Sequence, residues 1–350
     1  MEIREPERLT PVVGEADVIV VGSGPGGLSA AIAAARAGVS VILIERFGCF
    51  GGNITSVGVE GFAWYRHEKT IEAGGLAFEY EQRAIESNAA VPESQSKSYE
   101  LDSEGFKVVA DNLVLKAGVR PMLHRAFCAP ILDGDEIKGV ITESKAGREA
   151  IIGKIIIDAT GDADVARRSG VKVFKNKKED MISASVMFHM SGVNKEEFMN
   201  EIERDPQKYS DWSDKNWQVQ TSGKEDDMFS PFLRKPFEKA KDSGLIDSDL
   251  QTISGTWGAI HDTGELTYLN LVHLIGIDGT DPESLTKGEI EGRKAALEAI
   301  AALKEYMPGC SAGKLRNFGM TIGIRDTYKI DSVYNLSDED VKNECRFEDS

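Results

Sequence analysis

Three glycines carry the first chemistry that can be read from this sequence. Gly22, Gly24 and Gly27 fall in the order Gly-x-Gly-x-x-Gly within Gly22-Ser23-Gly24-Pro25-Gly26-Gly27. Bare backbone at such a turn lets amide N–H groups approach an anion, and a helix starting there adds the positive end of its dipole. The group this arrangement suits is a pyrophosphate. Gly22 would make the tight bend, Gly24 would admit the phosphates, and Gly27 would let the helix lie close to the strand. Glu45 follows Gly22 by 23 positions, near the roughly 20 expected of an acid that hydrogen-bonds a ribose.

The elements that must position these residues are legible on both sides. Residues 17–21 are consecutively apolar after Asp17, as in a central parallel strand. Residues 25–37 are rich in alanine and read as a helix that lies close to a sheet, with Gly38 ending it. Residues 39–44 form a second strand. Strand, glycine turn, helix, strand and acid together make the opening unit of a dinucleotide-binding fold.

Two features favour a flavin dinucleotide over a nicotinamide one. Glu45-Arg46 is followed closely by Gly51-Gly52-Asn53, where a backbone could pass close to a ribityl chain and ring. Residues 155–162, Ile-Ile-Ile-Asp-Ala-Thr-Gly-Asp, form an apolar strand running into a small-residue turn and an acid. Such a strand returns the chain to the cofactor after a β-meander. The meander is expected over 129–157, with a hairpin turn at Asp133-Gly134-Asp135.

The rest of the chain bounds the answer. At 350 residues, 41% hydrophobic and 28% charged, a packed core is expected. The net charge of −17 argues against nucleic acid and anionic lipid as partners. No signal peptide or membrane span is read, so a cytoplasmic protein is expected. Cys49, Cys128, Cys310 and Cys345 lie far apart without a Cys-x-x-Cys, so no metal or iron–sulfur site is expected from this chain alone. Residues 1–16 read as a polar lead-in, 70–87 and 103–117 as helices, 119–127 and 181–192 as strands, and 257–277 as one or two strands. A helix over 283–307 should bury Ile290, Leu297, Ile300, Leu303 and Met307. A polar helix begins near Asn335-Leu336-Ser337.

The chain resembles FAD-dependent oxidoreductases related to the flavin subunit of heterodisulfide reductase. More distantly it is similar to fumarate reductase and glutathione reductase flavoproteins. The matching stretches are residues 16–55, 155–170, 271–280 with Gly292-Arg293, and Gly323-Ile324-Arg325 followed by 336–340. The resemblance implies an α/β fold: a Rossmann-like FAD-binding domain with a parallel sheet and β-meander, plus an inserted α+β substrate lobe. It implies an FAD-binding first part over 1–178, a substrate lobe over 179–282, and a return to the FAD-binding domain over 283–350. It further implies that Gly22, Ser23, Gly24, Pro25, Gly26 and Gly27 hold the pyrophosphate and that Glu45, with Arg46 beside it, binds the ribose. Gly51, Gly52 and Asn53 would lie near the ribityl chain or ring, the Ala126 or Phe127 backbone would meet adenine, and Thr160, Gly161 and Asp162 would close over the phosphates. Two departures stand out. The cluster cysteines of heterodisulfide reductase flavin subunits are missing, and so is the late flavin-contacting segment that such chains carry past the Arg325 region. The expectation is a chain that continues beyond Ser350, or a wall supplied by another chain.

Arg325 is the candidate catalytic residue, able to bind an anionic substrate or stabilise charge at the flavin; a surface arginine in a local ion pair is the competing reading. Phe62, Trp64, Tyr65, Arg66 and His67 could line the flavin face or pack in the core. His189 and His273 sit in apolar runs and read as core or sheet histidines; His124 and His261 are undecided. The function expected is hydride transfer between an unidentified small-molecule substrate and flavin N5. The alternatives are an electron-transfer flavin subunit working with an iron–sulfur partner, and an inert FAD-binding fragment.

Overall fold

Strand β1 (Val12–Val21) is the axis of the first sheet. Its side chains alternate, Val18 and Val20 into one core and Ile19 and Val21 into another. Parallel neighbours cover both of its edges, β2 (Val41–Ile44) on one side and β8 (Gly147–Asp158) on the other. Because Val12 pairs with Ala150, the strand begins inside what the sequence presents as a polar lead-in. The computed structural model describes every residue except 1, 5, 62–73, 93–98, 206–231, 344 and 348–350.

The sheet runs β5-β2-β1-β8-β7-β6, with β5 (Arg120–Met122), β6 (Ala126–Asp133) and β7 (Glu136–Ser144). The four strands from β5 to β8 are mutually parallel; β8, β7 and β6 form the antiparallel meander. The single strand expected over 119–127 is therefore two. The chain breaks at His124, whose φ is +56°, because it turns over the end of β2: His124 N donates to Phe47 O and Arg125 N to Glu45 O. Helices α1 (Pro25–Arg36), α2 (Gly75–Glu86) and α3 (Ser103–Lys116) cover one face, burying Leu28, Ile32, Tyr80 and Phe106. The short α4 (Asp164–Arg168) brings Val165 to the other face. A ribbon of β3 (Ala90–Pro92) and β4 (Tyr99–Leu101) lies beside α2 and α3.

The second sheet runs β11-β12-β13-β10-β14. Its strands are β10 (Ala184–Ser191), β11 (Phe232–Leu233), β12 (Ile253–Thr256), β13 (Leu266–Leu274) and β14 (Lys314–Phe318), paired antiparallel. Helices α5 (Lys195–Arg204), α6 (Lys235–Asp242) and α7 (Pro282–Tyr306) bury Phe188, Phe198, Phe237 and Trp257 against it. A ribbon of β9 (Val173–Phe174) and β15 (Lys329–Ile330) joins the two halves of the chain, and α8 (Asp338–Lys342) is closed by a Ser337/Asp340 capping box.

The buried face of α7 matches the expected one in part: Ile300, Leu303 and Met307 are buried as expected, but the middle of the helix is not packed by its large residues. Ile290 and Leu297 are 61% and 53% exposed, whereas Gly288, Gly292, Ala295, Ala296, Ala299 and Ala302 are buried. Small residues win because the helix lies almost on the sheet: a Cβ on Gly292 would come 2.2 Å from Val186 Cγ2. Residues 283–318 also pack with the second sheet, through α7 and β14, rather than returning to the first. The return comes after Phe318, where Thr321 N donates to Ser56 O and Thr327 Oγ1 donates to Asp162 Oδ1.

Candidate functional site

The turn between β1 and α1 is built on close backbone approach. Gly22 has φ +96°, and a Cβ there would sit 2.3 Å from Ala159 O; a Cβ on Gly27 would sit 2.0 Å from Gly22 O. Strand β8 thus closes on the turn, and α1 closes on β1. Gly24 and Gly26 differ, because a Cβ on either would meet nothing within 4 Å. The space over the start of α1 is open. Gly24 caps that helix without any side-chain hydrogen bond, Pro25 occupies its first turn, and no acid is there. Unpartnered N–H groups, a helix dipole and free volume coincide at one point, which is what a pyrophosphate needs.

Glu45 is buried at the end of β2. Its Oε2 accepts from Ser23 N (3.0 Å) and Ser23 Oγ (2.6 Å), and its Oε1 accepts from Phe47 N (2.9 Å). The Ser23 hydroxyl is therefore turned to Glu45. Its role is to lock the acid in place across the glycine turn. Arg46 is exposed, with its guanidinium 4.7 Å from the Phe47 ring.

Gly51-Gly52-Asn53 lies directly against the glycine turn. Gly51 N donates to Ser23 O (2.9 Å), and a Cβ on Gly52, whose φ is +53°, would sit 2.6 Å from Gly24 Cα. A π-helical turn, Asn53–Val57, follows and buries Ile54, Thr55, Ser56 and Val57 while Asn53 stays exposed. Cys49 is buried behind it, with Sγ 3.7 Å from Thr55 Oγ1.

At the end of β8, Asp158 organises the small-residue turn. Its Oδ1 accepts from Thr160 N and Oγ1, and its Oδ2 accepts from Ala166 N. The Thr160 hydroxyl and the Asp162 carboxylate are thus occupied within the protein, by Asp158 and Thr327. Between them, a Cβ on Gly161 would meet nothing within 4 Å. Ala126 and Phe127 start the edge strand β6, opposite Glu143 and Thr142. The Phe127 ring carries the Arg168 guanidinium at 5.6 Å. Arg125 was missed by motif reasoning; it binds Glu45 through its backbone and Glu149 through Nε at 3.0 Å.

Arg325 lines a cleft of about 1010 Å³ over the second sheet, together with Asn53, Ser185, Met187, Asn270 and His273. Its Nη2 donates to Ser185 Oγ (2.8 Å) and reaches Asn270 Oδ1 (3.5 Å). No carboxylate lies within ion-pair distance of it among the described residues, so the competing local ion pair is not found there. The segment is pinned by reciprocal bonds between Gly323 and Ser185. Ser185 and Asn270 had no motif to reveal them; strand register alone brings them to Arg325. His273 lies on β13. Phe62, Trp64, Tyr65, Arg66 and His67 lie outside the described residues.

Behind the π-helical turn is a buried polar group. Glu60 and His189 are both almost fully buried, with Nε2 3.6 Å from Oε1, and Ser103 N donates to that same oxygen at 2.9 Å. Burial pushes the Glu60 carboxyl up to about 7, and burial, aided by Arg316, pushes the His189 imidazole down to about 4. The pair is therefore neutral in between. Among the described residues no three His, Cys, Asp or Glu side chains gather so as to hold a metal ion. Nor is any helix among them long and apolar enough to cross a membrane.

Comparison with known proteins now decides the family. The family model described as FAD dependent oxidoreductase matches residues 17–350. The chain belongs to the FAD-dependent oxidoreductase family. Its cofactor is FAD, and the open space at Gly24 and Gly26 over the uncapped α1 N-terminus fits that cofactor's pyrophosphate. A thiamine thiazole synthase of Saccharolobus islandicus is 30% identical over 171 residues, 45% of this chain and 60% of that protein. Digeranylgeranylglycerophospholipid reductase 2 of Methanopyrus kandleri is 30% identical over 192 residues, 52% of this chain and 46% of that protein. The alignments thus span 60% or less of these relatives. Among solved structures, a geranylgeranyl bacteriochlorophyll reductase-like protein from Thermoplasma acidophilum has TM-score 0.51 at 16% identity, covering 89% of this chain and 66% of that one. The myxobacterial chondrochloren halogenase CndH has TM-score 0.52 at 14% identity, covering 92% and 67%. These two likenesses bear on the fold, a mixed α/β flavoenzyme architecture.

Proposed function

We propose that this protein is an oxidoreductase that moves a hydride between a small-molecule substrate and N5 of its FAD. The observation that carries this reading is the continuity of two spaces. The open cradle over α1 is walled by Gly52, and the next residue, Asn53, lines the cleft that holds Arg325. When bound, FAD supplies a two-electron acceptor. The chain's own residues do the rest. The α1 amides would take the pyrophosphate charge. Glu45, fixed by Ser23 and Phe47, would receive the ribose hydroxyls with Arg46 and the Ala126–Phe127 backbone at the adenine end. Asn53 would border the ring, and Arg325 would stabilise negative charge beside it. We read the first sheet as the FAD-binding unit, the second as the substrate lobe, and the cytoplasm as the working compartment. The nearer kinship to heterodisulfide reductase flavin subunits, which would bring an electron-transfer or iron–sulfur partner, belongs to the same proposal.

The test is direct. Protein reconstituted with FAD and freed of excess cofactor should keep a visible flavin spectrum, and under anaerobic conditions an oxidisable substrate should bleach it. Protein that stays colourless, or whose flavin no C–H donor in a broad metabolite panel reduces, overturns the proposal.

A further inference from the structure

We propose that the substrate is a small organic anion whose carboxylate is received by Arg325. This deepens the functional reading above and rests on it for the place of the chemistry, though not for the binding itself.

The charge distribution points to it first. The chain has 58 Asp and Glu against 41 Lys and Arg, yet no Asp or Glu lines the cleft among the described residues, while Arg234, His273 and Arg325 do. An acidic protein that keeps its carboxylates out of one large cleft favours anions there and repels them elsewhere. The second observation is how Arg325 is held. Among the described residues it meets neutral oxygens, Ser185 Oγ at 2.8 Å and Asn270 Oδ1 at 3.5 Å, both at Nη2. Its Nε and Nη1 donors have no partner among the described residues. A guanidinium offers five N–H donors in a rigid plane, and a carboxylate matches two of them side by side. Ser185 and Asn270 act as positioning residues: they orient the plane without neutralising its charge.

The backbone beneath Arg325 is fixed rather than loose. Ser185 N donates to Gly323 O at 3.0 Å and Gly323 N to Ser185 O at 2.8 Å. A Cβ on Gly319 would sit 2.1 Å from Val57 O, so the segment after β14 lies directly against the π-helical turn that Asn53 opens. The anion site and the ring position proposed above therefore share one wall. The second arginine, Arg234, already pairs with Glu238 at 2.9 Å. One guanidinium without a carboxylate partner among the described residues matches one carboxylate better than a phosphate dianion.

The experiment uses the FAD-loaded full chain at low salt, with benzoate, its neutral isostere benzamide, and inorganic phosphate as probes. Calorimetry reads binding, and the visible spectrum of the same sample reads flavin content. Benzoate should bind saturably and perturb the flavin spectrum, benzamide should bind at least about tenfold more weakly, and phosphate should bind more weakly than benzoate. R325Q should weaken benzoate about tenfold to a hundredfold, the range for a hydrogen bond to a charged group, while keeping its flavin. Equal binding of benzoate and benzamide, no benzoate binding, or undiminished binding to R325Q overturns the proposal; phosphate binding tighter than benzoate overturns the choice of carboxylate. A sample without flavin absorbance counts against the functional reading, while its calorimetry still decides the anion site.

Discussion

Replacing Glu60 by glutamine should stabilise this protein at alkaline pH and leave it unchanged in acid. Glu60 is 3% exposed, and burial holds its carboxyl up to about 7 from an ordinary 4.5. An acid whose folded value is raised keeps its proton longer in the native state. Below about pH 4.5 both states are protonated and nothing is gained or lost. As pH climbs through the folded value the unfolded chain has released its proton and the native one must ionise a buried group, so stability falls. Because Glu60 also hydrogen-bonds the buried Glu100 carboxyl, the two share this titration, and its cost is on the order of a few kcal/mol. E60Q keeps an oxygen for Ser103 N and removes the Glu60 proton site, leaving the neighbouring Glu100 in both proteins. Its advantage over the parent should grow from near zero at about pH 4 to on the order of a few kcal/mol at about pH 8, read as urea midpoints across pH. His189 is present in both proteins, so its own loss of stability on acidification cancels to first order. An advantage that is independent of pH, or that grows towards acid, would refute the burial of a neutral Glu60.

Other substitutions report on separate parts of the account. Gly292→Ala should cost about 1–3 kcal/mol by overpacking α7 against Val186, seen as a lowered urea midpoint. Phe106→Ala, removing a fully buried ring edge-on to Tyr80 at 5.9 Å, should cost about 3–5 kcal/mol in the same assay. Glu45→Ala frees the Ser23 and Phe47 amides, so it should lose about 1–3 kcal/mol of stability and retain FAD poorly on gel filtration; normal retention would remove Glu45 from the ribose site.

The first sheet was largely legible because its signals are local. Asp17 to Val21, the glycine turn and the alanine-rich helix each follow from neighbours in sequence, and their hydrophobic and glycine spacing translates directly into β1 and α1. What failed depended on distant partners. Ile300, Leu303 and Met307 follow the spacing, but nothing near Ile290 or Leu297 reveals that α7 lies so close to β10 that glycine and alanine take over its middle. The break at His124 is set by Phe47 and Glu45 far back in the chain. The site divides in the same way. Gly22, Gly24, Gly27 and Glu45 could be named from spacing, whereas Ser23's bond to Glu45, Asp162's to Thr327, and the grip of Ser185 and Asn270 on Arg325 exist only through strand register.

The central claim is that the β1–α1 turn holds the FAD pyrophosphate, and titrating FAD into the parent protein and into Gly24→Ala tests it most directly. Gly24 has φ −60° and ψ 175°, which alanine adopts freely, and the added methyl meets no protein atom within 4 Å. The variant should therefore fold and melt like the parent but bind FAD about tenfold or more weakly, a loss of at least about 1.4 kcal/mol, because the methyl occupies the space reserved for phosphate. Undiminished FAD affinity in a correctly folded Gly24→Ala protein would contradict the account.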